Sequence, residues 1–379
     1  MASLRRTGIF VRAAQHHRRR HQSTLSPSIS PSDISRARTH CAALLRSSDT
    51  PSSLLLPYIP QSSRDAYLAL RAFNLGIART ADTTSTPTIA TLRLQFYREA
   101  VTKALDPNHT PPKQPVAILL SKAAADIQAN SPGGRGWSKS WFTRLISTRE
   151  QYLSNAPYTS LSALETYAEN TYSTLLYLTL QSLPLSSVSA DHVASHIGKA
   201  TGIAAVLRGL PIIAFPGPRN KHSNQNQFGG DVGAGRQGAV TLPLDIMAQA
   251  GVREEDVLRN GSSAKGLRDA VFAVATRAND HLITARGLME SVRKGEAEDH
   301  EFEHGGEEEH IYLPTKGGRS ETQAQELERS FGVFMPAIAT QLWLDRLEKA
   351  DFDVFDPKLR QTDWRLPWKA FWAWQRRRI

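Results

Sequence analysis

The sequence predicts an all-α protein with a single large helical domain. Apolar residues recur at i, i+3, i+4 and i+7 in most segments between 62 and 294, and short Pro, Gly and Asn breaks separate these segments. No run alternates with period two for long enough to build a sheet. The 379 residues, 40% hydrophobic and 22% charged, are typical of a globular chain with ample core. We therefore expect about ten helices packed as one domain.

The first 25 residues are typical of a mitochondrial presequence. They hold six arginines and no acidic residue, and they run into hydroxyl residues. A secretory signal needs an uninterrupted apolar core, which is missing here. The alternative is a disordered basic arm that contacts RNA or anionic lipid. Without this segment the formal charge falls from +10 to +4, so the remaining chain gives little support for nucleic-acid binding.

The rest of the chain divides into a Ser/Pro-rich N-terminal region, a helical domain and a tail. The N-terminal region covers 26–60, and Ile34–Arg46 within it is predicted as a helix capped by Ser32 or Asp33. The helical domain spans 61–360. It contains a Gly/Asn/Gln-rich loop insert at 215–237 and an acidic insert at 296–323, both expected to be solvated, and a Trp/Arg-rich tail follows at 361–379.

Two features limit the class of protein. Cys41 is the only cysteine, which excludes an internal disulfide framework and Cys-rich metal sites. The longest weakly polar run, around 173–185, is too short and too rich in hydroxyls to span a bilayer. The sequence therefore predicts a soluble or peripheral protein.

Motifs for hydrolytic or metal chemistry are weak. No G-x-S-x-G motif is present, and the glycines of GGDVGAG follow no strand. His192 and His196 have the i, i+4 spacing of a metal pair, but Val193 stands where the glutamate base would be, which favours helix packing. His300, His304 and His310 lie in the acidic insert, where a solvated tract is expected. We therefore predict no metal site and no cofactor.

Several stretches are similar to the squalene/phytoene synthase family over about residues 40–360. The specific ones are YAENTYSTLLYLTL at 167–180 and ADHVASHIGKATGI at 190–203, supported by ALRAFNLGIA at 69–78 and LRDAVFAVATRANDHLITAR at 267–286. The chain most resembles the mitochondrial branch of that family, whose members assist assembly of respiratory complex I. The resemblance implies the all-α fold of the isoprenoid synthases.

Active synthases of this family carry two Asp-rich motifs on facing helices, which hold Mg²⁺ against a diphosphate. The resemblance places the first motif on 72–82, where Ala78 and Arg79 replace the leading carboxylates and Asp82 stays acidic. The second follows Leu207 and Arg208, where the expected aspartates are Gly209 and Ile213. Because Mg²⁺ must bridge phosphate and protein carboxylates, we expect no catalytic residue and no turnover by the family mechanism.

The parent fold encloses an apolar cavity, which could persist as a prenyl-lipid or quinone site. Aromatic residues at helical spacing are more often buried in an ordinary core. A retained lipid site and plain core packing therefore both remain possible interpretations of these residues. The expected lining residues, with the cations at its polar end, are Phe73, Phe96, Arg98, Tyr172, Tyr177, Lys199 and Arg208.

The tail has the composition of a membrane-interface segment. Tryptophan prefers the lipid interface, and arginine favours anionic headgroups. The expected contacts are Trp364, Trp368, Trp372, Trp374, Arg376, Arg377 and Arg378. The alternative is a terminal helix whose indoles pack against the body, and the sequence does not decide between the two.

These observations favour a non-catalytic assembly factor for complex I on the matrix side of the mitochondrial inner membrane. The branch resemblance implies that its partners are complex I subunits or assembly intermediates. The tail composition adds an expected peripheral membrane contact, and an isoprenoid lipid in the cavity stays an open alternative. The alternatives are an active prenyltransferase that uses isoprenoid diphosphates, and a prenyl-lipid or quinone carrier.

Overall fold

The computed structural model describes residues 29–84, 86–131, 134, 136–183, 185, 188–216, 238–295 and 323–379. The predicted presequence and nearly all of both predicted inserts lie outside these residues. Within the described ranges, the regular elements are helices and no strand occurs, which confirms the all-α fold class.

Sixteen α-helices occur in the described residues, more than the roughly ten expected, because the predicted segment at 160–183 is divided in two and three helices lie beyond residue 294. They are α1 Pro31–Ser48, α2 Thr50–Leu55, α3 Arg64–Ala78, α4 Thr80–Thr83, α5 Pro87–Leu105, α6 Pro115–Asn130, α7 Lys139–Gln151, α8 Leu161–Ala168, α9 Thr174–Gln181, α10 Val188–Ala214, α11 Leu244–Ala250, α12 Glu254–Asn260, α13 Leu267–Lys294, α14 Gln323–Phe334, α15 Pro336–Lys349 and α16 Leu366–Arg376. A π-helical turn, Glu169–Ser173, joins α8 to α9.

Helix α1 begins earlier than the sequence analysis predicted. Its cap is Ser30, whose hydroxyl accepts a hydrogen bond from the Asp33 N–H at 3.1 Å, so the choice of Ser32 or Asp33 as the cap was wrong. Pro31 explains the difference, because proline is favoured in the first turn and its missing N–H needs no partner there. Cys41 on α1 is fully buried, so this helix contributes to the common core.

Helix α10 is the central helix of the domain and packs against α8, α9, α13, α14 and α15. Its segment Ser189–Ala214 is long and apolar enough to cross a membrane by length and composition, and it is the one such helix among the described residues. From the sequence, only the run around 173–185 was considered as a possible membrane span. More than half of the α10 window is buried inside the protein, and a helix enclosed on all sides is expected to be apolar all round.

Two glycines let α10 approach the π-helical turn closely. A Cβ placed on Gly198 would lie 2.3 Å from the Cα of Ser173, and a Cβ on Gly202 would lie 2.5 Å from the Cβ of Ala168. Such distances are far below van der Waals contact, so only glycine fits at these positions. This packing fixes where the π-helical turn directs its side chains.

Candidate functional site

A cavity of about 700 Å³ lies between α3, α4 and α5 on one side and α7, α8 and α10 on the other. Ala78 and Asp82 line it from the first predicted motif, and Gly209 and Ile213 line it from the second. The structure thus brings together four of the five positions that the family resemblance assigned to Asp-rich motifs.

The fifth position, Arg79, lies outside this cavity. Helix α3 ends at Ala78, and Arg79 caps it before the short helix α4 begins. The Arg79 side chain is exposed, and its Nη1 donates to the hydroxyl of Ser48 at 3.1 Å. The positive charge of Arg79 therefore lies on the outer surface instead of inside the cavity.

Carboxylates are scarce around the cavity. Asp82 supplies the only carboxylate among the described lining residues, and it is exposed. Mg²⁺ bound to a diphosphate takes oxygen ligands at near-octahedral positions, usually from more than one carboxylate. Across the described ranges, no three His, Cys, Asp or Glu side chains form a group that could hold a metal ion. The described lining residues by themselves do not fit a magnesium–diphosphate cluster.

Arg149 on α7 is the only cation among the described lining residues. Its guanidinium carbon lies 5.4 Å from the ring centroid of Tyr167 and 5.6 Å from that of Tyr172. Nη1 donates to the Tyr167 hydroxyl, and Nη2 donates weakly to the side-chain oxygen of Asn74 at 3.4 Å. Nε is buried with no hydrogen-bond partner.

Four tyrosines of the cavity wall form an aromatic group beside Arg149. The ring centroids of Tyr152, Tyr158 and Tyr167 lie 4.9–5.3 Å apart, and Tyr172 faces the same guanidinium. Burial raises the pKa of Tyr158 and of Tyr167 above the ordinary phenol value. These hydroxyls therefore stay protonated at physiological pH and can act as hydrogen-bond donors.

Only Tyr172 of the seven residues expected to line the pocket does so. Phe73 is buried in the core, edge-on to Tyr97 and Phe142. Phe96 points to the surface and is 45% exposed. Arg98 forms an ion pair with Glu150 at 2.5 Å. Helical spacing could not separate these environments, because a core face and a cavity face have the same apolar pattern.

The remaining three expected pocket residues also lie elsewhere. The Tyr177 hydroxyl donates to Glu169 at 2.5 Å, and the ammonium of Lys199 lies 3.8 Å from the same carboxylate. Ser195 donates to Glu169 as well, at 2.8 Å. Arg208 is exposed and stacks over the ring of Trp343 at 5.1 Å. Tyr177, Ser195 and Lys199 all contact the Glu169 carboxylate, so they hold the π-helical turn against its neighbours instead of lining the cavity.

The histidine pair of α10 does not converge on a metal-ligand group within the described residues. Nδ1 of His196 lies 2.9 Å from Nδ1 of His281 on α13, and Nε2 of His281 lies 2.7 Å from Glu165 on α8. Sequence analysis missed His281 and Glu165, because they are separated from His196 by tens of residues. The chain of hydrogen bonds ties three helices together, in keeping with the packing role favoured from the sequence.

The C-terminal helix α16 presents a second exposed surface. Trp364, Trp368 and Trp372 are 78%, 66% and 54% exposed, and Phe371 beside them is also exposed. Leu366, Ala370 and Ala373 on the opposite face are buried. Pro367 stands in the first turn, where it starts the helix.

Two of the expected membrane contacts face the protein body instead. The Trp374 ring lies 5.5 Å from the ring of Tyr58 and 6.0 Å from that of Phe331. Arg377 stacks on Trp374 at 3.8 Å and lies 3.6 Å from Glu328. Arg376 and Arg378 remain exposed. The exposed surface therefore consists of Trp364, Trp368, Phe371, Trp372 and these two arginines.

The chain is similar to the squalene/phytoene synthases in sequence pattern and in fold. The family model described as squalene/phytoene synthase matches residues 45–222 and 227–372. A dehydrosqualene synthase crystal structure superimposes with a TM-score of 0.62 at 13% identity, covering 91% of this chain and 98% of that one. The squalene synthase HpnC of Alicyclobacillus acidocaldarius gives 0.58 at 14% identity, covering 86% and 97%. At these identities the structures show the fold alone.

Relatives of higher identity carry a different name. A Rattus norvegicus protein named NADH dehydrogenase (ubiquinone) complex I, assembly factor 6 is 34% identical over 339 residues, 89% of this chain and 82% of its own length. The Homo sapiens protein of that name is 33% identical, over 86% of this chain and 79% of its own. The Drosophila melanogaster homolog is 30% identical, over 88% and 82%. Together with the family match, these similarities show that the chain belongs to the squalene/phytoene synthase family.

Proposed function

We propose that this protein is a non-catalytic assembly factor for respiratory complex I. The observation that carries the proposal is its similarity, over most of the chain, to relatives named as complex I assembly factor 6. Its partners would be complex I subunits or assembly intermediates.

The cavity supports the non-catalytic part of the proposal. An allylic diphosphate brings several negative charges, and its ionisation depends on bound metal for electrostatic stabilisation. Ala78, Gly209 and Ile213 line the cavity without a side-chain oxygen, and among the described lining residues Asp82 alone offers a carboxylate. We infer that the cavity has lost the metal-dependent prenyl transfer of its fold relatives.

An enzymatic assay tests that inference directly. Purified full-length protein, incubated with farnesyl diphosphate and Mg²⁺, is expected to release no pyrophosphate above the level of a heat-denatured sample. Pyrophosphate release that requires Mg²⁺ would support the alternative of an active prenyltransferase and would reject the non-catalytic proposal.

Deletion of the gene tests the assembly role. Mitochondria from the deleted strain, resolved on native gels, are expected to lack mature complex I while other respiratory complexes remain. A wild-type copy should restore the complex, as should a copy carrying Asp82→Asn, since that carboxylate has no catalytic role in this proposal. Normal complex I after deletion would reject the assembly role.

We further propose that the protein works on the matrix side of the mitochondrial inner membrane. The Arg-rich, acid-free start of the chain supports import, and the exposed surface of α16 supports a peripheral contact with the membrane. Tryptophan rings reside at the lipid interface, and flanking cations attract anionic headgroups. Protease treatment of intact and ruptured mitochondria tests the compartment, since a matrix protein is digested only after both membranes open.

Vesicle flotation tests the role of α16. The protein is expected to float with phosphatidylcholine vesicles that contain cardiolipin and to float poorly without cardiolipin. Replacing Trp364, Trp368 and Trp372 together by alanine should abolish flotation. A matched control is Ile283→Ala, which removes a side chain that is 55% exposed on α13. Equal flotation of the triple variant and the control would reject the membrane contact through α16.

A further inference from the structure

We infer that the cavity is a metal-independent binding site for a single-chain amphiphile, whose anionic head is held by Arg149 and whose apolar tail fills the space toward α10. This inference goes beyond the assembly role and does not depend on it. The ligand class is an acid with one apolar chain, and its head is a carboxylate or a phosphate monoester.

Arg149 brings a positive charge to the cavity wall. Within the described part of the chain, Arg149 forms no ion pair with a carboxylate, and its buried Nε has no partner. The Arg149 side chain is half-buried, and a charge that is partly removed from water is normally paired or hydrogen-bonded, because its desolvation is costly. Stacking on Tyr167 and Tyr172 compensates only in part. An anion bound in the cavity would supply the missing counter-charge.

Neutral phenol groups lie beside the guanidinium. Nη1 of Arg149 donates to the Tyr167 oxygen, and Tyr158 and Tyr167 share a hydrogen bond, so one phenol proton of this pair is left to donate to a ligand. Burial keeps Tyr158 protonated as well. Guanidinium and phenol groups together match the oxygen acceptors of a carboxylate or phosphate. A metal is not needed to hold such a head.

An apolar wall lies beyond Arg149 in the cavity. Ile77, Ala90, Val206 and Ile213 line the cavity, whose volume of about 700 Å³ falls within the range of small-molecule sites. Ile212 lines the cavity and is also 64% exposed, so it marks the mouth. A free inorganic anion would leave this apolar volume to water, which favours a ligand with an apolar tail.

Calorimetric titration of the full-length protein in EDTA tests the proposal. The probes are dodecyl phosphate and dodecanoate, each used below its micelle concentration, with inorganic phosphate and dodecyltrimethylammonium for comparison. Both acids are expected to bind in EDTA, and the cation and inorganic phosphate are not. Binding of inorganic phosphate as tight as that of dodecyl phosphate would overturn the proposed tail site, and a requirement for Mg²⁺ would overturn its metal independence.

Two variants separate binding from folding. Arg149→Gln is expected to weaken binding of both acids by roughly ten- to hundred-fold, the range for lost charge-assisted hydrogen bonds. Its control is Arg144→Gln on the same helix, outside the described lining. Gly209→Leu keeps Arg149 and fills the cavity, since the nearest heavy atom to an added Cβ is the Ile213 Cδ1 at 3.8 Å.

Gly209→Leu should therefore fold at least as well as the wild type and bind the acids at least ten-fold more weakly, an estimate from the lost volume for the tail. Equal affinity of the wild type and Arg149→Gln, with both folded by circular dichroism, would overturn the role of Arg149. Unchanged affinity of Gly209→Leu would place the binding site outside this cavity and would overturn the proposal as well.

Discussion

The carboxylate of Glu165 is expected to make a pH-dependent contribution to stability. Glu165 on α8 accepts hydrogen bonds from Nε of Arg277 at 2.5 Å and from Nε2 of His281 at 2.7 Å, both on α13. Burial alone would raise its pKa, but the hydrogen bonds from His281 and Arg277 outweigh burial and lower the pKa from its ordinary 4.5 to about 2. The folded state therefore stabilises the ionised form.

The size of the effect follows from this pKa. One pKa unit corresponds to about 1.4 kcal/mol, so ionised Glu165 adds about 3 kcal/mol to the free energy of unfolding. Because the pKa is lowered in the folded state, the contribution is complete above the ordinary value of 4.5. It is lost progressively as the pH falls from 4.5 toward 2, and about half remains near pH 3.

Urea unfolding followed by circular dichroism measures the contribution. Glu165→Gln should be about 3 kcal/mol less stable than the wild type near pH 7, and this gap should shrink to about half near pH 3. Glu255→Gln is the matched control, because Glu255 pairs with Arg259 four residues along α12 and both side chains are largely exposed. Such a pair contributes less than about 1 kcal/mol. A gap for Glu165→Gln that is equal at both pH values would refute the reasoning.

Two further predictions concern packing. Gly198→Ala should lower the free energy of unfolding in urea by about 1–3 kcal/mol, since its Cβ would lie 2.3 Å from the backbone of Ser173. Gly287→Ala on α13 is the control, and it should raise the free energy of unfolding by about 0.5–1 kcal/mol because nothing lies within 4 Å of its Cβ. A Gly198→Ala variant as stable as the wild type would contradict the close approach of α10 to Ser173. Cys41 is buried, and burial raises the pKa of its thiol to about 12. The native protein should therefore resist a maleimide that labels the urea-unfolded chain, whereas rapid native labelling would place α1 outside the core.

Much of the fold could be predicted from the sequence because helical periodicity is a local property. The segments of α3, α5 and α13 each show it, and none of the described residues forms a strand. Helix boundaries were less predictable, as at α1, where Pro31 moved the cap to Ser30. The π-helical turn Glu169–Ser173 was not predicted from the sequence, and it packs closely against Gly198 of α10, a contact between residues distant in the chain.

The candidate site was predicted in part. Ala78, Asp82, Gly209 and Ile213, which the family resemblance assigned to two motifs far apart in the chain, line one cavity. Arg149 was missed, because an arginine among polar residues of α7 has the pattern of a solvated position. Only its stacking on tyrosines from α8 and the π-helical turn identifies it as part of the cavity.

By itself, the sequence determined the fold class and the identity of each residue at the positions that the family resemblance assigns to the motifs, because both can be read along the chain. Only the tertiary structure decided which aromatic and basic residues face the cavity, the core or the solvent. The tail illustrates the reason. Trp372 and Trp374 are two residues apart, about 200° around the helix, so they lie on nearly opposite faces. Trp372 is exposed and Trp374 packs on Tyr58 and Phe331, and the environment of each depends on neighbours that are distant in sequence.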